Sequence, residues 1–178
     1  MINPSPLTDI CPSPISVLWA ARALKVLPHK ALLESTIATL EPCVGIFDES
    51  ESSELDIYGR LARVVKHLGS SEPVIPGQIH LNVKRLNQIV RLNHFEARLL
   101  EMSAILTEDD WFQRFCLSLK AANRLQSIKA IAAMLDCPAA DVALALSDVG
   151  VLHLSGILPN NPQSRDIPEL LRMPQEKE

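Results

Sequence analysis

The stretch SIKAIAAMLDCPAADVALALS, residues 127–147, limits what this chain can fold into more than any other part of it. Ile131, Ala132 and Leu135 fall on one face of a first helix. Val142, Ala145 and Leu146 fall on one face of a second, at the i, i+3, i+4 spacing of a buried stripe. Pro138 lacks an N–H that a helix start would leave unpaired anyway, so it closes the first helix near Cys137 and opens the second. Asp141 then stands in the second helix's first turn, where the macrodipole favours an acid. Two helices crossing steeply need a small residue at the crossing, and Ala132 sits there. The spacing predicts a helix-turn-helix. After Gly150, VLHLSGIL (residues 151–158) reads as two short strands bent at Ser155-Gly156, the wing of a winged helix.

A motif of this size needs further helices to cover it, and the chain supplies them. It has 178 residues, 47% hydrophobic but only 4% aromatic, a composition suited to helix-on-helix packing around a sizeable core. Net charge is −4 and the isoelectric point about 5.7, which argues against a general nucleic-acid coat. Cys11, Cys43, Cys116 and Cys137 form no C-x-x-C pair, and the five histidines are equally scattered, so no set has zinc spacing. The cysteines read as small core residues in a reducing compartment. No cleavable leader and no apolar run of membrane-spanning length is present. A cytoplasmic protein without a membrane partner is expected.

Read in order, residues 1–14 hold Pro4, Pro6, Pro12 and Pro14 and are expected to be a flexible arm. A helical unit should span residues 15–69. Its first helix, Ile15 to Leu27, stops at Pro28, and its second ends near Leu40 before Pro42. The run DESESSELD (residues 48–56) carries five acids and three serines with no base. It reads as a solvated loop, with an acidic docking tail or a phosphorylation site as the functional reading. Ile57, Leu61, Val64, Val65 and Leu68 stripe the next helix, which Gly69 ends. Residues 70–79, with Pro73, Pro76 and Gly77, read as a linker into a winged-helix unit over 80–158. There a helix from Asn82 to Arg91 precedes Asn93, whose partner Glu96 completes a capping box for a central helix to Leu106. Thr107 should cap the helix after that. Residues 159–178 contain four prolines and read as an extended tail or linker, with Ile167 to Met173 able to form a turn of helix.

No phosphate-binding glycine loop, nucleophile elbow or H-E-x-x-H occurs, so neither a catalytic residue nor a cofactor is expected. His94 and Glu96 read as a capped helix start, and Asp109-Asp110 as first-turn acids. The contrast that matters is DNA against protein. A DNA-reading second helix carries bases and amides, yet Pro138 to Asp148 contains no Lys, Arg, Asn or Gln and two acids. A protein-contacting surface of Asp141, Leu144, Asp148 and His153 is therefore expected. The alternative, a winged-helix transcription regulator, would hold the DNA backbone with Arg114, Lys120, Arg124 and Lys129, beside Trp111.

The run NVKRLNQIVRLNHFEARLLEMSAIL (Asn82 to Leu106), the motif at 127–147 and LHLSGIL together resemble the region preceding the ATPase core in certain bacterial AAA-family ATPases. Asn82, Leu86, Leu92, Glu96, Leu99, Leu100, Leu152, Ser155, Gly156, Ile157 and Leu158 carry the likeness, over residues 80–158. The resemblance implies an accessory winged-helix-like domain that recruits substrates or partners to an ATP-driven remodeller. The family's nucleotide-binding motifs have no counterpart here. The chain is thus expected to be either an N-terminal portion of a longer protein or a relative without the engine. The fold class expected is mainly α: a helical bundle plus a winged helix-turn-helix with a small β-wing. The role expected is that of a non-catalytic adaptor, whose partner is another protein or the ATPase core.

Overall fold

The computed structural model describes residues 12–27, 30–44, 56–69, 74–119, 121, 123–158 and 164–171. Among these the regular structure is entirely helical. The elements are α1 (Pro14–Val26), α2 (Lys30–Val44), α3 (Ile57–Gly69), α4 (Gly77–Val90), α5 (His94–Glu108), α6 (Asp110–Ser118), α7 (Arg124–Leu135), α8 (Ala139–Ala145), α9 (Val151–Leu154) and α10 (Ile167–Leu171). The mainly α expectation holds. Most of residues 1–14, 48–56 and 159–178, and the first four residues of the 70–79 linker, lie outside the described residues.

The helix α1 is buried nearly all round, from Ile15 through Leu24, which makes it a central element rather than a flank. Ser13 caps it and Pro14 occupies its first position, the placement a proline tolerates best. It lies mainly along α7 and also meets α2, α3 and α6. Trp19 is fully buried and tilts against Phe112 of α6 at 5.6 Å, while Trp111 stacks on Phe115 at the same spacing. One buried cluster runs from Ile15 to Leu171, so the helices on either side of 70–79 share a single core. The expected linker is also shorter than its composition suggests, because α4 already begins at Gly77.

Buried polar groups fix how the layers meet. Asp109 is the N-cap of α6, accepting from the Phe112 N–H at 3.0 Å, and not Thr107, which stays inside α5 and donates to the Ser103 carbonyl. The other Asp109 oxygen accepts from Ser16 Oγ at 2.6 Å and the Ser13 N–H at 3.3 Å, tying the start of α1 to α6. Arg22 of α1 donates to the Met134 carbonyl at 3.1 Å, so a cation caps the negative end of α7. The tail is not simply extended: Ile167, Leu170 and Leu171 of α10 are buried against α5 and α6. Ser103 Oγ donates to the Leu171 carbonyl and Ser127 Oγ to the Arg165 carbonyl, which anchors both ends of that helix. The second helix runs past its expected end near Leu40 to Val44, with position 42 inside its last turn, where a proline removes only a single hydrogen bond.

The helix-turn-helix forms as the spacing predicts. Ile131, Ala132, Leu135, Val142, Ala145 and Leu146 are all buried. The turn between α7 and α8 is a Schellman motif. Asp136 takes the left-handed conformation at φ 53°, its N–H bonds the Ala133 carbonyl, and the Cys137 N–H bonds the Ala132 carbonyl. Pro138 then serves as N-cap of α8.

The wing does not form. Val151–Leu154 is one turn of helix, and residues 155–158 continue as turns with no strand. The punctuation read as a hairpin is a second Schellman motif. Gly156 stands at φ 70°, its N–H bonds the His153 carbonyl, and the Ile157 N–H bonds the Leu152 carbonyl. Glycine at a helix end and glycine at a hairpin bend leave the same mark in a sequence. What decides between them here is a long-range partner for the first N–H of α9.

Candidate functional site

That partner is Glu96. Its Oε2 accepts from the Asn93 N–H at 2.9 Å while Asn93 Oδ1 accepts from the Glu96 N–H at 2.9 Å, completing the capping box at the start of α5. Its Oε1 accepts from the Val151 N–H at 3.0 Å. One buried carboxylate thus holds the N-termini of two helices, at the positive ends where an anion is most favoured. His94 takes no part in this arrangement; its ring packs edge-on against Phe95.

Gly150 is the second support. A Cβ there would stand 2.4 Å from the Ala145 carbonyl oxygen and 2.9 Å from that of Leu144, both backbone atoms at the end of α8. Only glycine lets the chain turn this tightly from α8 into α9. Gly150→Ala should therefore cost about 2 kcal/mol or more, because neither carbonyl can step aside without unwinding α8. The check is a denaturant titration, and a midpoint equal to that of the unchanged protein would count against the close approach.

Arg124 is the third. Its guanidinium donates to the Leu146 carbonyl at 3.0 Å, closing the C-terminal end of α8. Ser147 Oγ reinforces the turn by donating to the Leu144 carbonyl at 2.7 Å.

These supports present a surface at the end of α8 and along α9. Leu144, Val149 and Leu154 are 60%, 67% and 71% exposed, three aliphatic side chains left in water within eleven residues of sequence. Asp148 is exposed beside them and Asp141 half-exposed on α8. The structure thus brings Asp141, Leu144 and Asp148 together on one short helix and its turn. His153 differs from its expectation: it is helical and half-buried, and its Nδ1 is buried without a hydrogen-bond partner among the described residues. Val149 and Leu154 were not foreseen: Val149 lies in the turn before α9, and a strand reading of 151–158 sets its aliphatics on alternating faces.

The cation set proposed for a DNA backbone does not assemble as a free group. Arg114 and Lys129 are exposed, Arg124 is committed to Leu146, and Lys120 lies outside the described residues. Trp111 is 1% exposed and offers no face for stacking. A different cationic helix escaped the sequence reading. Between Glu72 and Glu96 no acid occurs, and α4 carries Lys84 and Arg85, with Arg91 just beyond it, all exposed. The signal was the missing counter-charge, not a cluster of bases.

Elsewhere the chemistry is quiet. Among the described residues no group of three His, Cys, Asp or Glu is placed to hold a metal ion. Burial, then the nearby Asp109, pushes the Cys116 thiol well above its ordinary range. Cys137 is raised chiefly by its partial burial and further by Asp141 and Asp136, with Arg98 opposing. Neither thiol is poised as a thiolate nucleophile. An open depression of about 390 Å³ lies beside Ser13, Pro76, Ile79, Ile105, Glu108, Asp109 and Asp110. Asp109, which lines it, already accepts from the Phe112 N–H, the Ser16 hydroxyl and the Ser13 N–H. No helix among the described residues is long and apolar enough to cross a membrane.

Comparison of the chain with protein-family models, with characterised proteins and with solved structures finds no match in any of the three.

Proposed function

We propose that this chain is a non-catalytic interaction module whose α8–α9 surface meets another protein. The observation that carries the reading is the exposed trio Leu144, Val149 and Leu154 with Asp141 and Asp148, on a stretch from Pro138 to Leu154 without a Lys, Arg, Asn or Gln. Aliphatic side chains left in water so close in sequence favour a dry partner, and acids there disfavour phosphate. The resemblance of residues 80–158 to the region preceding the ATPase core of bacterial AAA-family remodellers gives the module a role of that kind: recruiting a substrate or partner to an ATP-driven machine.

The test is a fluorescence titration of a duplex DNA library at near-physiological salt. Little binding is expected, since non-specific affinity comes almost wholly from neutralised phosphates and this surface offers none. Replacing Asp141 and Asp148 with Lys should improve duplex binding while leaving the fold intact, as both carboxylates reach water. Tight, sequence-selective binding by the unchanged protein, lost on altering α8, would replace the interaction module with a transcription regulator.

A further inference from the structure

The face of α4 turned away from the core is the complement of the α8–α9 surface. Ile79 and Val83 of α4 are buried against α5, with Leu86 and Val90 half-buried behind them. The opposite side carries Leu81, Arg85 and Ile89 in one strip at i, i+4, i+8, and Lys84, Gln88 and Arg91 in the adjoining one. Leu81 is 48% and Ile89 80% exposed, and Lys84, Arg85 and Arg91 form no ion pair among the described residues. A merely solvated helix face usually mixes both signs of charge to gain i, i+4 pairs; this one carries cations, amides and aliphatics but no acid. Its chemistry calls for a partner with aliphatic anchors and carboxylates. Leu144, Val149 and Leu154 with Asp141 and Asp148 are such a set on this same chain.

The turns that border the two surfaces also meet. The turn that ends α4 and the turn that begins α9 both donate to the Glu96 carboxylate, through the Asn93 and Val151 N–H groups at 2.9 and 3.0 Å. Two copies related by a two-fold axis near that junction would each lay α4 across the other's α8–α9, satisfying both surfaces at once. We propose that α4 is the docking face for the α8–α9 surface of a second copy of this chain, in a closed dimer. This rests on the reading of α8–α9 as a protein-contacting surface. The aliphatics would form the centre of the contact and the charges its rim, fixing register and partner choice.

The experiment is analytical ultracentrifugation over a concentration series, with two charge-reversed proteins: Lys84→Glu with Arg85→Glu, and Asp141→Lys with Asp148→Lys. All four positions reach solvent, and unchanged thermal melts confirm that each variant folds. The unchanged protein should reach the mass of two chains, with association weakening as salt rises. Each variant alone should pair about tenfold or more less tightly, since both of its contacts become like-charged. An equimolar mixture of the two variants should pair again, because every contact in the mixed dimer joins opposite charges. A protein that stays monomeric, or a dimer indifferent to both reversals, overturns the proposal. So does a duplex that binds the monomer and is released by Lys84→Glu with Arg85→Glu, which would make α4 a nucleic-acid surface. Failure here leaves the duplex-library result for α8 unaffected, so the two readings fall separately.

Discussion

Ala132→Asp is expected to unfold the chain's core at temperatures where the unchanged protein is fully native. Ala132 is 4% exposed on α7, and its carbonyl already accepts the Cys137 N–H that closes the turn to α8. A carboxylate there would lie in the contact between α7 and its neighbours. Burying an unpaired charge or overfilling so tight a contact costs about 4 kcal/mol or more, a large part of the about 5–15 kcal/mol that holds a domain together. Ala143→Asp is the control, since Ala143 is exposed on the outer side of α8 and should tolerate the same change with little effect. Thermal melts followed by circular dichroism compare the two. If both variants melt together with the unchanged protein, the packing of α7 against α8 is not what this structure describes.

That contact was legible because it is local. Ile131, Ala132 and Leu135 on one helix and Val142, Ala145 and Leu146 on the next are set by periodicity alone, and all six are buried. The Asn93–Glu96 capping box is local as well, four residues of sequence that specify one helix start. Long-range polar bonds left no such trace. Glu96 reaches Val151 across 55 positions, Arg22 reaches Met134 across 112, and Arg124 reaches Leu146 across 22. Each changes the meaning of a residue that reads otherwise in isolation. Arg124 looks like a phosphate ligand and is a helix cap; Val151 looks like the start of a strand and is the first residue of a helix. The same holds for Ser16, a polar residue inside the most buried helix, which makes sense only once Asp109 is beside it. The candidate surface was half legible for a related reason. Asp141, Leu144 and Asp148 follow from the helix, whereas Val149 and Leu154 depend on how α9 is turned.

Glu96→Ala should strongly destabilise this protein. The residue is 3% exposed, and its two oxygens satisfy N–H groups at the starts of α5 and α9. Removing the carboxylate leaves both donors without a partner in a place water does not readily reach. Charge-assisted hydrogen bonds are worth about 1.5–3 kcal/mol each, so a loss of about 3–5 kcal/mol is expected. For a chain of this size that lowers the melting temperature by about 6–20 °C. Glu96→Gln separates geometry from charge: it keeps one acceptor but turns an amide donor toward the other N–H, so about half the effect should remain. Amide hydrogen exchange gives the residue-level readout. In Glu96→Gln, either the Asn93 or the Val151 N–H should lose protection while the other keeps it, and in Glu96→Ala both should lose it. The α8–α9 surface should loosen in step with Val151, because Val149 and Leu154 are positioned by the turn that this bond closes. A Glu96→Ala protein with unchanged stability and a protected Val151 N–H would mean that α9 is held by its own packing, with Leu152 and Leu158 as its anchors.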